Sequence, residues 1–210
     1  MVQRPWQRWD DPGVVEAIDD YWARSVSEST HRQRVAELSR SFLPVSGGSL
    51  LEVGCGSGRI REHLIATGLS SASYVGVDLA VRMLALARRR SPEARLARAD
   101  GFALPFRDGQ FDLVVAFEVV GHLPEFAPLV REMLRVSRGR VLWTVWTASG
   151  DEVLCGHERV LDAEFLFRKY PHTAVLAEIE RAVPGMARSA EPIDLAPNCR
   201  AYLLRVPPSR

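Results

Sequence analysis

Hydrophobic positions follow a helical rhythm from residue 13 to residue 43, and the spacing changes after that point. Apolar side chains recur there at helix-like intervals, at Val14, Val15, Ile18, Val35, Leu38 and Phe42. Pro44 to Gly48 then interrupt the pattern with residues that favour turns. The spacing predicts an N-terminal helical cap within residues 1–45.

Short apolar runs alternate with amphipathic ones as far as residue 146. The predicted strands are Ser49–Val53, Ser73–Val77, Ala94–Ala99, Phe111–Phe117 and Arg140–Trp146. The predicted helices are Arg59–Gly68, Ala80–Arg90 and Pro124–Ser137, the last with Pro124 at its first position. The run Leu113–Ala116 is apolar on both faces, which is typical of parallel strands covered by helices. The alternation predicts an α/β fold, with a Rossmann-like doubly wound, mostly parallel sheet and helices on both faces.

The segment after Thr147 has a less regular pattern. We predict a helix around Ala163–Val183 and a pair of strands near Arg188–Leu195 and Arg200–Val206. A chain of 210 residues has the length of one domain. We therefore expect a single domain over 1–210, made of the cap (1–45), a ligand-binding core (49–146) and a substrate-side part with the C-terminal strands (147–210).

A glycine-rich turn follows the first strand, at the sheet edge where open α/β folds bind their ligands. Its residues Gly54-Cys55-Gly56-Ser57-Gly58 lead directly into a helix. Glycines let the backbone turn tightly and approach a ligand, and a helix N-terminus offers unpaired N–H donors. The same turn can also be a simple strand-to-helix connection. Arg59 stands where the G-x-G-x-x-G fingerprint needs its third glycine, which argues against a nicotinamide dinucleotide.

Acidic residues follow the second and third strands. Asp78 lies about twenty residues past the glycines, where a carboxylate can accept two ribose hydroxyls; alternatively, it caps the next helix. Asp100 can accept from an exocyclic amine while Phe102 flanks the same base. The pair Asp100-Gly101 can equally form a turn.

These motifs together resemble the class I S-adenosylmethionine-dependent methyltransferases. The resemblance rests on Glu52–Gly58, Gly76–Asp78, Asp100 and Phe111–Val114, in the family's order and spacing, and covers about Ser49 to Trp146. It implies a seven-stranded sheet whose last strand is antiparallel. It also implies S-adenosylmethionine as the cofactor and S-adenosylhomocysteine as the product.

The resemblance further implies which residues bind the cofactor. Glu52 steadies the glycine turn, whose backbone surrounds the amino acid moiety, Asp78 holds the ribose, and Asp100 and Phe102 meet the adenine. The residues from Phe117 to His122 lie near the methyl group, and Tyr21 comes from helices that close over the cofactor. The predicted cofactor-binding residues are Tyr21, Glu52, Gly54, Cys55, Gly56, Gly58, Asp78, Leu79, Asp100, Gly101, Phe102 and Phe117.

His122 is the predicted catalytic residue, because it follows the fourth strand. A neutral imidazole accepts a proton near pH 7, which an acceptor hydroxyl requires; the alternative is a residue of the pocket wall. Glu118 is a second pocket candidate or, alternatively, a loop anchor. His157 and Arg159 lie where the family places substrate-side residues, although a solvated loop would also account for them.

Aromatic residues are concentrated near the N-terminus, at Trp6, Trp9, Tyr21 and Trp22. Their faces suit a sulfonium or a flat substrate. Together with Pro5, Pro12 and Gly13, they favour a mobile lid over the cofactor. The alternative is a helix that docks permanently through aromatic core contacts.

Composition and charge are those of an ordinary globular protein, with 47% hydrophobic and 25% charged residues. The net charge of +1 provides no general attraction to nucleic acid or to an anionic membrane. The longest apolar run, Phe111–Leu123, is interrupted by acids and too short to span a bilayer. Three cysteines match neither a metal nor a disulfide pattern, and free thiols suit a reducing compartment. We therefore expect a cytoplasmic protein without a metal.

Nucleic-acid methylation is disfavoured by the residues after the fourth strand. Glu118–Gly121 stand where base-amino methyltransferases of the superfamily have Asn/Asp-Pro-Pro-aromatic, and no cysteine nucleophile is present there. Arg88–Arg90 are more typical of a helix C-terminus than of a nucleic-acid surface. The sequence thus predicts methyl transfer to a small molecule such as a secondary metabolite. A peptide, protein or RNA acceptor stays open, as does a non-catalytic methyltransferase-like binding protein.

Overall fold

The computed structural model describes residues 9–45, 47–160 and 163–206. Its helices are α1 (Val14–Arg24), α2 (Val26–Phe42), α3 (Arg59–Ala66), α4 (Val81–Arg90), α5 (Ala127–Val136) and α6 (His172–Ala182). Its strands are β1 (Leu50–Val53), β2 (Tyr74–Asp78), β3 (Arg95–Arg98), β4 (Phe111–Ala116), β5 (Ser137–Trp146), β6 (Leu154–Val160), β7 (Ala163–Lys169), β8 (Glu191–Ala196) and β9 (Cys199–Arg205). Among the described residues, no helix has the length and apolar character needed to cross a bilayer.

Seven strands form one sheet in the order β3-β2-β1-β4-β5-β9-β8. The pairings from β3 to β5 are all parallel, whereas β9 runs antiparallel to both of its neighbours. This confirms the predicted mostly parallel, seven-stranded, Rossmann-like sheet. The strand order reverses between β1 and β4, so the cleft at which such sheets bind ligands opens at the carboxyl ends of these two strands.

Side chains of each central strand alternate between two separate cores. In β4, Val114 packs with α5 and α6, while Leu113 and Val115 pack on the opposite face with α2 and α3. All three residues are fully buried, and each such side chain contributes about 1.5–3 kcal/mol through burial. Helices therefore cover both faces, as predicted, and hold the carboxyl ends of the strands in fixed positions.

The predicted helix at 163–183 is wrong in its first half. Residues from Ala163 to Lys169 form β7, which pairs antiparallel with β6 in a separate two-stranded hairpin. Phe165 and Phe167 lie at the two-residue period of a strand, and the residue before a proline is disfavoured in a helix. Pro171 accordingly precedes the first residue of α6.

Two other predicted boundaries also differ from the structure. The N-terminal helical segment is broken at Ser25, which adopts an extended conformation and caps α2 through its side chain. The helix predicted to start at Pro124 begins at Ala127 instead. The carboxylate of Glu178 on α6 accepts the backbone N–H groups of Phe126 and Ala127, both at 2.9 Å. A cap supplied from another helix leaves no local sequence signal.

Candidate active site

A cavity of about 770 Å³ opens at the carboxyl edge of the sheet, within the roughly 300–1,000 Å³ typical of small-molecule sites. The glycine turn, the loops after β2, β3 and β4, the end of β5, the hairpin and the helices α1 and α2 form its walls. The predicted residues that line it are Tyr21, Glu52, Gly54, Cys55, Gly56, Asp78, Leu79, Asp100, Gly101, Phe102, Phe117 and His122. Gly58, the remaining predicted residue, is instead the N-cap of α3.

The glycine turn has a backbone that only glycine fits at its first position. Gly54 has a φ of 75°, and a Cβ there would lie 2.3 Å from a methyl carbon of Val119. At Gly56, by contrast, a Cβ would meet no atom within 4 Å, so the backbone faces open space. A ligand can therefore approach the chain closely at Gly56.

The N–H groups of this turn are already hydrogen-bonded within the protein. Gly54 and Cys55 both donate to the carbonyl of Val77, at 2.8 and 3.0 Å. Gly56 donates to the carboxylate of Asp78 at 2.8 Å. These three groups therefore have no N–H left for a ligand, and the turn offers a rigid, open surface instead.

Asp78 is held by backbone groups on both sides. Its Oδ2 accepts from Gly56 and its Oδ1 accepts from Ala80, each at 2.8 Å. The helix α4 begins at Val81 with Ala80 as its N-cap, so the alternative in which Asp78 caps this helix is wrong. Burial raises the pKa of Asp78, and these hydrogen bonds oppose that shift. Each carboxylate oxygen retains capacity for another donor.

Asp100 forms the turn that its sequence allows and still lies at the cavity. Its Oδ1 accepts from the N–H of Phe102 at 2.9 Å, while the side chain remains exposed. A Cβ at Gly101 would lie 3.0 Å from Leu129 and 3.1 Å from Val53, so this part of the wall is tightly packed.

Glu52 is almost completely buried at the base of the cavity. Its carboxylate accepts the hydroxyl of Tyr74 at 2.6 Å. Burial raises the pKa of Glu52 to about 8, and the nearby carboxylates of Asp78 and Glu118 act in the same direction. Glu52 is therefore protonated at neutral pH.

His122 follows β4 and contacts the hairpin. Its Nδ1 lies 2.8 Å from the carbonyl oxygen of Leu166. Because a carbonyl only accepts, this contact places the proton of the neutral ring on Nδ1 and leaves Nε2 with a free lone pair. Trp9 and Trp146 lie edge-on to the ring, each with its centroid 5.2 Å away. Burial lowers the pKa of His122, which keeps the ring neutral near pH 7.

Aromatic residues of the N-terminal segment form part of the cavity wall. Trp9 stacks on Trp22 with ring centroids 5.8 Å apart and lies 4.3 Å from the ring of Phe165. Tyr21 also lines the cavity, although 51% of it is exposed. Trp6 and Pro5 lie outside the described residues.

The hairpin of β6 and β7 forms a wall of the cavity, although β7 was predicted to be part of a helix. His157 and Arg159 line the cavity as predicted, but they lie in β6, so the solvated-loop alternative is wrong. Phe165, Phe167 and Lys169 of β7 line it as well. The alternation of the two phenylalanines was the signal that could have identified this strand.

A buried ionic cluster, which the sequence analysis did not identify, joins α1 to the glycine turn. The carboxylate of Asp19 receives hydrogen bonds from Arg59 at 2.7 and 2.8 Å, from Arg90 at 2.8 Å and from Ser57 at 2.5 Å. Burial alone would raise the pKa of Asp19, but these bonds lower it. Arg59 is thus directed towards the cap. Arg88, Arg89 and Arg90 form the last turn of α4, as predicted, and Arg90 is partly buried by its pairing with Asp19.

Glu118 has an unusual backbone conformation, with a φ of 59° in the left-handed region. Its N–H donates to the hydroxyl of Thr144 at 2.8 Å, and its carboxylate lies 3.6 Å from Nε2 of His31. Burial raises its pKa to about 7. Within the described residues, no group of three His, Cys, Asp or Glu side chains is placed to hold a metal ion.

Comparisons with known proteins agree with this arrangement. A family model described as a methyltransferase domain matches residues 51–142. Phthiotriol/phenolphthiotriol dimycocerosates methyltransferase 1 of Mycobacterium ulcerans is 29% identical over 89% of this chain and 73% of its own length. Phosphatidylethanolamine N-methyltransferase of Cereibacter sphaeroides is 34% identical over 65% of this chain, which spans 63% of that relative.

A solved structure shares the fold over most of the chain. The S-adenosylmethionine-bound amino pentose methyltransferase CalS10 of Micromonospora echinaspora has a TM-score of 0.64 at 20% identity, covering 92% of this chain and 97% of its own. The family match supplies the motifs, and this likeness supplies the fold around them. Residues 51–142 thus match a methyltransferase domain, and the chain shares the fold of this solved methyltransferase over most of its length.

Proposed function

We propose that this chain transfers a methyl group from S-adenosylmethionine to a small-molecule acceptor. The observation that carries the proposal is one cavity that unites the glycine turn and Asp78 with His122. S-adenosylmethionine, the cofactor of class I methyltransferases, supplies an electrophilic methyl group when bound. The residues fit it, because the turn is open at Gly56 and Asp78 presents two fixed oxygens with remaining acceptor capacity.

The half of the cavity along β3, β2 and β1 is proposed to hold the cofactor. In sheet order, Asp100, Asp78 and the glycine turn follow one another along this edge. We assign the adenine to Asp100, Gly101 and Phe102, the ribose to Asp78 beside Leu79, and the amino acid moiety to Gly54, Cys55 and Gly56 with Tyr21 and Phe117. Glu52 and Gly58 hold the shape of the turn.

The other half, near β4, β5 and the hairpin, is proposed to hold the acceptor. The free Nε2 of His122 accepts a proton if the acceptor is a hydroxyl, and the flanking tryptophans keep water away from the ring. Holding two reactants in line contributes up to roughly 7–11 kcal/mol to the rate. Most of the catalysis is therefore assigned to placement.

A small-molecule acceptor is supported by the enclosure of this half between the hairpin and the N-terminal helices. The relatives named above are methyltransferases of lipids, and the solved neighbour is one of an amino pentose. Peptide, protein and RNA acceptors remain alternatives, and the net charge of +1 gives nucleic acid no general attraction to the chain. The free thiols of Cys55, Cys155 and Cys199 support a cytoplasmic location.

The proposal is tested by measuring the affinity for S-adenosylhomocysteine by calorimetry. Asp78→Ala should weaken binding at least tenfold, because two charge-assisted hydrogen bonds of about 1.5–3 kcal/mol each are removed. Asp108→Ala, at an exposed carboxylate paired with Arg135, should leave the affinity unchanged. Unchanged affinity in a folded Asp78→Ala variant would remove Asp78 from the site. Absence of binding by the unmodified chain would favour a methyltransferase-like protein without catalysis.

A further inference from the structure

The acceptor half of the cavity contains a carboxylate that the proposed reaction does not use. Glu118 follows β4, one strand beyond the glycine turn in the sheet order. It lines the cavity together with Trp146 at the end of β5 and Asn198 just before β9. The cofactor half, with its own acids Asp78 and Asp100, lies on the other side of the turn.

Glu118 is held in a strained backbone conformation. Its left-handed φ of 59° is uncommon for any residue other than glycine or asparagine. The hydrogen bond from its N–H to Thr144 fixes the conformation. Strain of this kind persists where the direction of a side chain serves a function.

The described groups around Glu118 act on its charge but donate no hydrogen bond to it: beyond the effect of burial, the negative charge of Glu28 raises its pKa, and the positive charge of Arg32 lowers it. Arg32 on α2 is engaged by Glu28, to which it donates at 3.0 Å, and by the carbonyl of Trp22. Nε2 of His31 lies 3.6 Å from Glu118, which is beyond hydrogen-bonding distance, and burial lowers the pKa of His31. Burial also raises the pKa of the Cys199 thiol on β9, and the carboxylates of Glu118 and Glu28 act in the same direction. Among the described residues, none donates a hydrogen bond to the carboxylate of Glu118.

We propose that the acceptor is a basic amine and that the carboxylate of Glu118 binds its ammonium group. This inference rests on the proposed methyl transfer. A carboxylate removed from water is costly without a cation, and an ammonium ligand supplies both the charge and the missing donors. His31, 3.6 Å from the carboxylate, is close enough to share the same ammonium.

The pairing of Glu118 with the ammonium group also prepares the amine for reaction. One proton passes from the ammonium nitrogen to the carboxylate oxygen, which gives a neutral amine and a carboxylic acid, and the nitrogen lone pair becomes free. Burial raises the pKa of Glu118 to about 7, so its carboxylate can take up this proton near neutral pH.

The test compares size-matched amines and alcohols, from ethylamine and ethanol to benzylamine and benzyl alcohol. Binding to the chain saturated with S-adenosylhomocysteine is measured by ligand-observed NMR. We expect at least one amine to bind tenfold or more tightly than its alcohol, and Glu118→Gln to abolish this preference. Alcohols that match or exceed their amines in every pair would overturn the proposal.

Matched variants separate the possible failures. Glu37→Gln, at an exposed position of the same helix α2 as His31, should keep the preference, and His31→Gln should reduce it several-fold. Calorimetry of S-adenosylhomocysteine should give the same affinity, within twofold, for the unmodified chain and Glu118→Gln. An equal loss of both ligands would assign Glu118 to the cofactor site and overturn the inference. If the unmodified chain binds no S-adenosylhomocysteine, the methyl-transfer proposal itself fails.

Discussion

Glu52 shows how one buried side chain makes the stability of this fold depend on pH. In the unfolded chain its pKa is 4.5, and burial raises it to about 8 in the folded chain. A raised carboxyl pKa contributes stability that is complete below pH 4.5 and is lost as the pH rises through about 8. The folded state therefore carries an increasing penalty across this range.

Replacing Glu52 with glutamine should remove that penalty. The amide oxygen can still accept the hydroxyl of Tyr74, so the unfolding free energy of Glu52→Gln should exceed that of the unmodified chain by an amount that grows from pH 5 to pH 8. The difference can reach roughly 5 kcal/mol, at about 1.36 kcal/mol per unit of pKa shift. Denaturant unfolding at several pH values measures it, with Glu191→Gln at an exposed strand as control. Parallel curves for Glu52→Gln and the unmodified chain would contradict the assignment.

The predicted role of His122 as a base depends on whether the acceptor is a hydroxyl or a neutral amine. Asparagine can donate to Leu166 as Nδ1 does, but it provides no base, so His122→Asn should lower turnover of a hydroxyl acceptor by roughly 10²–10⁴-fold. The effect on a neutral amine should be far smaller, because His122 then has no proton to accept. Steady-state kinetics with both acceptor classes measure this, while cofactor affinity should stay nearly constant. Wild-type turnover of a hydroxyl acceptor would make His122 a residue of the wall only.

At the scale of the element, local patterns predicted what depends on local chemistry. The strands β1, β2, β4 and β5 contain short apolar runs, and β1 and β2 end at the glycine turn and at Asp78, so the sequence predicted these strands and the sheet edge that gathers the site. The hairpin was missed because the apolar run Phe165–Phe167 is too short for its period to be distinguished from that of a helix. The start of α5 was misplaced because Glu178, distant in the sequence, supplies its cap.

The residues of the candidate site also divide into those that local sequence predicts and those that depend on distant packing. Gly54, Asp78 and Asp100 are tied to strand ends, so their common location follows from the order of the strands. The cluster around Asp19 and the separate contact between His31 and Glu118 form only through the packing of α1 and α2 on the sheet edge. No spacing along the sequence encodes those contacts, and the strained backbone of Glu118 is visible only once the fold is known.

At the scale of the whole molecule, Asp19 connects the N-terminal helices to the core. Its carboxylate joins α1 to Arg59 in α3 and to Arg90 in α4, and its pKa is lowered by these contacts. The resulting stability is present above pH 3.8 and is lost as the pH falls through the lower folded value. For α1 to move away from the cavity, these contacts of Asp19 must therefore break.

The predicted lid movement of α1 can be measured through this cluster. Asp19→Asn removes the charge that balances two partly buried guanidinium groups, so the attachment of α1 to α3 and α4 should weaken. Amide hydrogen exchange over residues 14–24 should become faster in this variant, and in the unmodified chain it should slow when S-adenosylhomocysteine binds. Asp20→Asn is the matched control, because Asp20 is exposed and its contact with the exposed Arg24 is long, at 3.9 Å. Equal exchange with and without the ligand would show that α1 is fixed structure, and equal exchange in both variants would show that Asp19 does not hold it.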